Sequence, residues 1–321
     1  MGVRLVTIGL CLGLALNSSR CLAGDLFVVC QDASRVLRVD TAANAVTGSL
    51  SVDAAPAMIA VSPDGAYLYV THPDHGEITK IDAMHLSVDS VFHVGGEPFG
   101  VVTDPDGKFL YVSDWGKDRV TQLDVESGEP RGEATVGHKP AGLVLTPHGH
   151  HLYVANRESH SVSVVETNEM RQVAELVVGG APFALALSPD TKFLITANVR
   201  SGDATIIDTA RLIVIERVKI GAAPYGAAIT PNGEWAMISD QHGDNLTVID
   251  LPSGRLRSII AIGRYPETIV PEVERAYVAN WFSGDVSVID LASEQELTRI
   301  KLCEGPRGMV LVPRKAAASS R

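Results

Sequence analysis

The chain has 321 residues, 45% of them hydrophobic, and carries 38 acidic and 27 basic side chains for a formal net charge of −11. This acidic balance opposes nonspecific binding to nucleic acid or to anionic lipid, so we expect no nucleic-acid partner. The length alone would allow two domains, but the repeats described below leave no room for a linker or a second domain.

The first 23 residues have the pattern of a secretory signal peptide. Arg4 precedes an apolar run that is too short to span a bilayer, and small residues lead up to Ala23. Cleavage after Ala23 would leave 25 basic and 38 acidic side chains, a net charge of −13. A lipidated Cys21 is the alternative, although Arg20 directly before it fits that motif poorly. The sequence therefore predicts an exported protein, periplasmic or secreted, with no membrane span in the remaining chain.

After the leader, one unit repeats to the end of the chain. Each unit has an opening proline, an apolar run, a Pro-Asp-Gly-type turn, a second run ending in Asp or Asn, a polar loop and a strand ending in an acid. The prolines are spaced by 42, 42, 42, 42, 42 and 40 residues, at Pro56, Pro98, Pro140, Pro182, Pro224, Pro266 and Pro306. The acids have the same spacings, at Asp40, Asp82, Asp124, Glu166, Asp208, Asp250 and Asp290. This period predicts an all-β fold, a seven-bladed β-propeller of four-stranded blades.

The predicted strands follow the same order in every unit. In the unit that opens at Pro98, the turn Asp104–Gly107 separates the first strand from the second, Phe109–Ser113, because Pro presets φ and Gly supplies φ > 0. Third strands such as Val162–Val165 are rich in β-branched residues, and fourth, outer strands follow, as in Val173–Val178. One later unit lacks the Pro-Asp-Gly turn, which accounts for its two missing residues.

The two ends of the chain are predicted to complete one blade. Asp25–Cys30 aligns with a second strand that has no first strand before it, and Pro306–Val312 is a first strand with no partner after it. Their pairing would close the ring and remove exposed strand edges. We therefore expect a propeller over residues 24–313, a flexible tail over residues 314–321, and a monomer.

Cys30 and Cys303 both stand where the repeat favours another residue. Cys30 ends a second strand at a position where five other units carry Asp or Asn, and Cys303 lies three residues before Pro306, where five other units carry Gly. A first strand starts and its antiparallel neighbour ends on the same side of the ring, so we predict a disulfide that clamps the closure. Two unpaired buried thiols are the alternative.

Short runs in the second strands resemble a known family. The runs Tyr69–His72, Tyr153–Asn156 and Tyr277–Asn280, together with Ser-Pro-Asp-Gly turns and Val-Ile-Asp strand ends, resemble the YVTN-type β-propeller family over the whole mature chain. The likeness is to its exported bacterial members and, more distantly, to the large subunits of quinoprotein amine dehydrogenases. It implies an architecture more than a reaction, since the family includes surface proteins, binding proteins and accessory subunits.

The binding site of a propeller is expected where loops from successive blades meet at one end of the channel. The residue after each opening proline should face this rim, which places three aromatic rings, an acid and a base there: Phe99, Phe183, Tyr225, Glu267 and Arg307. Together they would form an amphipathic mouth. Packing between neighbouring inner strands, with a simple Glu267–Arg307 ion pair, is the alternative.

The loops after the second strands complete the predicted rim, because such loops carry function more often than strands do. The residues singled out are His72, Asp114, Trp115, Arg157, His242, Trp281 and Phe282. Trp115 and Trp281 occupy equivalent positions on one face, where large apolar rings indicate a ligand or a partner protein. A solvated rim is the alternative for each of these residues.

No metal or cofactor site is predicted, although a metal or quinone-type cofactor stays open. His148, His150 and His151 could bind a metal, but they occupy a turn at the end opposite the rim, which favours an exposed turn. The chain has no haem-attachment, phosphate-loop, dinucleotide or nucleophile-elbow motif.

The sequence therefore predicts an exported, non-catalytic propeller that binds a small ligand or a periplasmic or cell-envelope protein at its rim. The alternative is an enzyme or an accessory subunit of a periplasmic oxidoreductase. His72 and Glu267 keep that alternative open, because both are expected near the channel.

Overall fold

The computed structural model describes residues 24–251 and 253–314, which contain 28 β-strands and no helix. In chain order the strands are β1 Gly24–Cys30, β2 Arg35–Asp40, β3 Ala45–Ser51, β4 Ile59–Val61, β5 Tyr67–His72, β6 Glu77–Asp82, β7 Ser87–His93, β8 Pro98–Thr103, β9 Phe109–Asp114, β10 Arg119–Asp124, β11 Pro130–Thr135, β12 Pro140–Leu145, β13 His151–Asn156, β14 Ser161–Glu166, β15 Arg171–Val177, β16 Pro182–Leu187, β17 Phe193–Asn198, β18 Asp203–Asp208, β19 Ile213–Lys219, β20 Pro224–Ile229, β21 Trp235–Asp240, β22 Asn245–Asp250, β23 Arg255–Ala261, β24 Pro266–Pro271, β25 Arg275–Asn280, β26 Asp285–Asp290, β27 Gln295–Lys301 and β28 Pro306–Pro313.

The strands form seven four-stranded antiparallel sheets. Blade 1 has the order β28-β1-β2-β3, and blades 2 to 7 each use four consecutive strands, from β4–β7 to β24–β27. The first strand of each blade contacts the first strands of both neighbouring blades, so these seven strands surround a central channel. The predicted all-β, seven-bladed propeller is confirmed.

Blade 1 closes the ring with strands from both ends of the chain. Strand β1 pairs with β28, with Leu26 opposite Leu311 and Cys30 opposite Pro306. A disulfide joins Cys30 to Cys303, whose Cα atoms are 6.1 Å apart. The predicted closure and the predicted cross-link are both present in the structure.

The hydrophobic core lies between the faces of neighbouring blades. Second strands are buried on both faces, which explains their unbroken apolar runs. At the closure, for example, Leu26 and Val28 of blade 1 pack against Tyr277 and Val286 of blade 7.

The acids that end the third strands cap the turns that follow. Asp40 Oδ1, for instance, accepts hydrogen bonds from the backbone N–H groups of Ala42 (2.8 Å) and Ala43 (3.0 Å). These acids are turn residues, as the Asx-turn chemistry of the repeat predicts.

The predicted signal peptide, residues 1–23, lies outside the described residues, as do residues 315–321 of the predicted tail. Arg314, the first tail residue, forms ion pairs with Asp25 at 2.6 Å and Asp40 at 3.0 Å and is therefore tied to blade 1. Within the described ranges, no helix is long and apolar enough to cross a membrane.

Candidate functional site

Two concentric rings of residues meet at one end of the channel. The residues after the opening prolines form the inner ring, which from blade 1 to blade 7 reads Arg307, Ala57, Phe99, Ala141, Phe183, Tyr225 and Glu267. The residues after the second strands form the outer ring, which reads Gln31, Pro73, Trp115, Arg157, Val199, Gln241 and Trp281. Both lie at the same end because, in six of the seven blades, the opening proline pairs with the last residue of the second strand, as in Pro266 opposite Asn280.

Hydroxyl groups of the second strands fix the inner ring from blade to blade. Ser239 Oγ accepts a hydrogen bond from the Gly226 N–H (2.8 Å) and donates to the carbonyl of Glu267 in the next blade (2.7 Å). Thr71 Oγ1 likewise donates to the carbonyl of Phe99 at 2.7 Å. Backbone positions in the inner ring are thus set by inter-blade hydrogen bonds.

Glycine at the second position after the proline allows this close approach. A Cβ added at Gly226 would lie 2.1 Å from the carbonyl oxygen of Glu267, and one at Gly100 would lie 2.3 Å from that of Ala141. No side chain fits at these distances, so these two inner strands approach their neighbours this closely only because glycine is there.

Aromatic side chains fill the channel mouth. The Phe99 and Phe183 rings meet with centroids 5.5 Å apart across the small side chain of Ala141. Trp115 lies 5.3 Å from Phe99, and Tyr225 stacks on Phe183 at 4.0 Å. The two phenylalanines are buried, whereas Trp115 and Tyr225 remain partly exposed. The rings therefore form a plug with an accessible outer surface.

Arg307 lies within this plug. Its guanidinium carbon is 5.3 Å from the Phe99 ring and 5.5 Å from the Trp281 ring, within cation–π range of both. Its Nη1 donates to Gln31 Oε1 at 2.7 Å and its Nη2 to Tyr225 Oη at 2.6 Å. We call Phe99, Trp115, Phe183, Tyr225, Glu267, Trp281 and Arg307 the mouth cluster.

Glu267 is the acid of the mouth cluster. Its Oε2 lies 3.4 Å from Arg307 Nε, and its side chain is only 3% exposed. Gln241 Nε2 donates to its Oε1 at 2.8 Å. Burial raises the pKa of Glu267 to about 7, although Arg307, Gln241 and Tyr225 favour the charged form. Burial, followed by the charge of Glu267, also raises the pKa of Tyr225.

Two further cations flank Trp115. Lys139 Nζ and the guanidinium carbon of Arg157 each lie 5.9 Å from the Trp115 ring. Arg157 also pairs with Glu158, which in turn pairs with Arg200. Of these two cations, only Lys139 forms no ion pair among the described residues.

His242 and Phe282 lie on the outer part of the rim rather than in the mouth cluster. Tyr265 joins them, with its ring 4.6 Å from Phe282 and 6.1 Å from His242. Phe282 is 61% exposed, more than any other Phe, Tyr or Trp among the predicted rim residues that the structure describes.

His72 and Asp114 are placed differently from the prediction. His72 is fully buried inside blade 2, with Nε2 2.9 Å from Thr79 Oγ1 and Nδ1 3.4 Å from the carbonyl of Ala54. Burial lowers the pKa of His72. Asp114 is 4% exposed and accepts hydrogen bonds from the N–H groups of Glu97 and Gly116. Both side chains hold the blade together and do not face the rim.

The structure also adds residues that sequence reasoning missed. Gln31 and Gln241 occupy the same repeat position as Trp115, so the 42-residue period was a usable signal for them. Lys139 directly precedes an opening proline and has φ of +54°, a left-handed backbone conformation that no composition pattern indicates.

The opposite face carries an open groove of about 530 Å³ beside Trp235, between blades 6 and 7. Three of its polar side chains are occupied by local turns, since Thr230 Oγ1 donates to Asn232 Oδ1 (2.6 Å) and Asp290 caps the turn at Ser293. Among the described residues, which include the histidine-rich turn on that face, there is no group of three or more His, Cys, Asp or Glu side chains placed to hold a metal ion.

Comparison with protein families supports the reading of the repeat. A family model described as YNCE-like beta-propeller matches residues 36–234, more than half of the chain. This chain belongs to the YNCE-like beta-propeller family. The resemblance inferred from the second-strand runs is thereby confirmed, and a search of curated proteins finds no match.

Solved structures share the fold of this YNCE-like propeller at low sequence identity. Hydrazine synthase of Kuenenia stuttgartiensis matches with a TM-score of 0.72 and 20% identity, covering 81% of this chain and 95% of that chain. A functionally unknown protein of Desulfotomaculum acetoxidans DSM 771 matches with a TM-score of 0.77 and 14% identity, covering 91% of this chain and 99% of that chain. The periplasmic gluconolactonase PpgL of Pseudomonas aeruginosa matches with a TM-score of 0.76 and 18% identity, covering 90% of this chain and 99% of that chain. At these identities the similarity concerns the fold alone.

Proposed function

We propose that this YNCE-like propeller is an exported, non-catalytic binding protein that takes a small ligand or a partner protein on the mouth cluster. One observation carries the proposal. The partly exposed aromatic side chains of Tyr225 and Trp281, from different blades, contact the guanidinium of Arg307 at the channel mouth, and the partly exposed Trp115 joins them through Phe99. Exposed apolar rings grouped with a positioned charge are typical of recognition surfaces.

The disulfide supports export. A cross-link between Cys30 and Cys303 persists in oxidising compartments such as the periplasm or the extracellular space. It agrees with the leader-like apolar run before Ala23.

Binding is a better account of the geometry than catalysis. An acid–base role would fall to Glu267, because its pKa of about 7 suits proton transfer at neutral pH. However, Gln241 and Arg307 lie against its two carboxylate oxygens, and the side chain is almost fully buried. A carboxylate enclosed in this way holds Arg307 in place more readily than it reaches a substrate.

Native mass spectrometry after incubation with a small-molecule extract tests the proposal. We expect a retained mass on the wild-type protein that is lost in Trp115→Ala. Trp235→Ala is the matched control, since Trp235 lies on the opposite face, and it should keep the retained mass.

Two outcomes would contradict the proposal. One is a retained mass that Trp235→Ala loses and Trp115→Ala keeps. The other is the absence of any retained small molecule together with the absence of any protein that crosslinks at position 115 or 281.

A further inference from the structure

Arg307 has more hydrogen-bond donors than the protein uses. A guanidinium carries five N–H groups. Among the described residues only Gln31 and Tyr225 accept hydrogen bonds from it, and its buried Nε has no hydrogen-bond partner although Glu267 lies 3.4 Å away. Because the buried Nε faces Glu267, two N–H groups, one on each terminal nitrogen, remain for an acceptor that comes from outside the chain.

The side chain of Arg307 is also accessible from the mouth. It is 14% exposed, in contrast to the 3% of Glu267. The planar, forked donor set of a guanidinium matches a carboxylate in a bidentate geometry. An incoming carboxylate is thus the group that best completes the hydrogen bonding of Arg307.

Lys139, beside Trp115, is a second cation that an anionic ligand could contact. Lys139 Nζ lies 5.9 Å from the Trp115 ring and forms no ion pair among the described residues. The nearby carboxylate of Asp118 is occupied by His138 (2.6 Å) and by the backbone N–H of Lys139 (2.9 Å). A cation next to a partly exposed indole suits a ligand that joins a flat ring to an anionic group.

We propose that the mouth cluster binds a small aromatic or planar carboxylate, with its anionic group on Arg307 and its ring against Trp115. The inference rests on the proposed binding function and specifies the class of ligand. Lys139 and Arg157 add long-range attraction at the edge of the site. Phe99, between Trp115 and Arg307, forms the apolar surface that joins the two contacts.

Glu267 acts as an internal competitor for the ligand. Its carboxylate is the anion nearest to Arg307 Nε, so an incoming carboxylate must approach a group of the same charge. The ionisable groups that face it are Arg307, Tyr225 and Tyr265. Loss of the charge at position 267 should therefore strengthen the binding of an anion.

The test uses benzoate as the probe, with benzyl alcohol as its neutral counterpart. In a Trp235→Phe background the described residues retain only Trp115 and Trp281 as indole reporters, both at the mouth. We expect benzoate to change their fluorescence saturably and benzyl alcohol to bind at least about tenfold more weakly, which corresponds to about 1.4 kcal/mol. A Trp115→Phe, Trp281→Phe double variant, which reports only from Trp235, should show no change.

Three variants locate the anion. Arg307→Lys keeps the charge but removes the fork and should weaken benzoate binding about tenfold, whereas Glu267→Gln should strengthen it. Lys139→Ala should weaken benzoate binding by a smaller factor, and it leaves the buried contacts of Arg307 and Glu267 in place. Arg257→Lys is the control, because Arg257 lies against position 235, away from the mouth cluster.

Three results would overturn the inference. Benzyl alcohol binding as tightly as benzoate would remove the role of the carboxylate and leave the proposed binding function intact. Unchanged benzoate affinity in both Arg307→Lys and Lys139→Ala would also overturn the inference and leave the proposed binding function intact. If neither probe changes the mouth fluorescence, the inference fails, and the retained-mass comparison decides separately on the proposed function.

Discussion

At the scale of single residues, the polar groups that end the second strands belong to the fold. Asn156 Nδ2 donates to Ser161 Oγ (3.0 Å) and Ser163 Oγ (2.8 Å), five and seven residues further along the chain. Asn198 and Asn280 make the equivalent bonds in their blades. His72 forms a hydrogen bond with Thr79, which is also seven residues further along the chain. Its side chain therefore makes the same contact as the asparagines of the other blades. This explains why a histidine at a strand end does not indicate a ligand site here.

Glu267 should make stability depend on pH in a definite direction. Its folded-state pKa of about 7 exceeds the ordinary value of 4.5, so the folded protein binds this proton more tightly than the unfolded chain. The contribution of this proton to the free energy of unfolding is complete below about pH 4.5 and is lost as the pH rises through about 7. The free energy of unfolding of the wild type minus that of Glu267→Gln should therefore fall across this window. Urea denaturation of both proteins at several pH values measures this difference. A difference in the free energy of unfolding that is constant or rises with pH would be inconsistent with a raised pKa of Glu267.

Ser239 offers a test of how the inner ring is fixed. Replacement by Ala leaves the N–H of Gly226 and the carbonyl of Glu267 without their partner, which should lower the free energy of unfolding by about 1–2 kcal/mol. Ser253→Ala, in an exposed turn, is the control and should cost less than about 0.5 kcal/mol. Equal costs in urea denaturation would show that the inter-blade bond contributes nothing.

At the scale of the strands, glycine allows some inner strands to approach their neighbours closely. Gly226→Ala would bring a Cβ to 2.1 Å from a backbone oxygen of the next blade, so we expect a loss of about 1–3 kcal/mol or more. Gly180→Ala is the control, because its nearest atom would be 3.3 Å away and its φ is not positive. Thermal denaturation compares the two variants, and we expect the lower melting temperature for Gly226→Ala. Equal melting temperatures would contradict the claim that a Cβ at position 226 clashes with the next blade.

The strands also show how far the sequence could predict the site. The period places the residues after the prolines at one end of the channel, so Phe99, Glu267 and Arg307 were predictable as neighbours. Their contacts were not, because the approach of Phe99 to Phe183 depends on the small Ala141 between them. Burial of Asp114 depends on backbone donors from another loop, which no repeat position reveals.

At the scale of the whole molecule, closure is confined to blade 1. The ring depends on one strand from near the start of the chain and one from near its end, and Cys30–Cys303 ties them across a sequence separation of 273 residues. The repeat predicted this architecture because seven equivalent units must bury their faces against one another and leave no edge. Function was harder to predict, since blades use the same residues whatever the mouth binds.

Loss of the disulfide should weaken the whole ring. In the chain-entropy account, a cross-link over so long a loop stabilises by about 3–5 kcal/mol, so Cys30→Ala with Cys303→Ala should lower the free energy of unfolding by about that amount. Reductant should reproduce the loss in the wild type and have no effect on the double variant. Two titratable thiols in the denatured, unreduced protein would contradict the cross-link.

The central claim is that ligands bind at the mouth cluster, and a crystal structure of the protein loaded from a small-molecule extract tests it most directly. We predict density for a bound molecule against Trp115 and Trp281, within hydrogen-bonding distance of Arg307. Density only in the groove beside Trp235 on the opposite face, with an unoccupied mouth, would contradict the account.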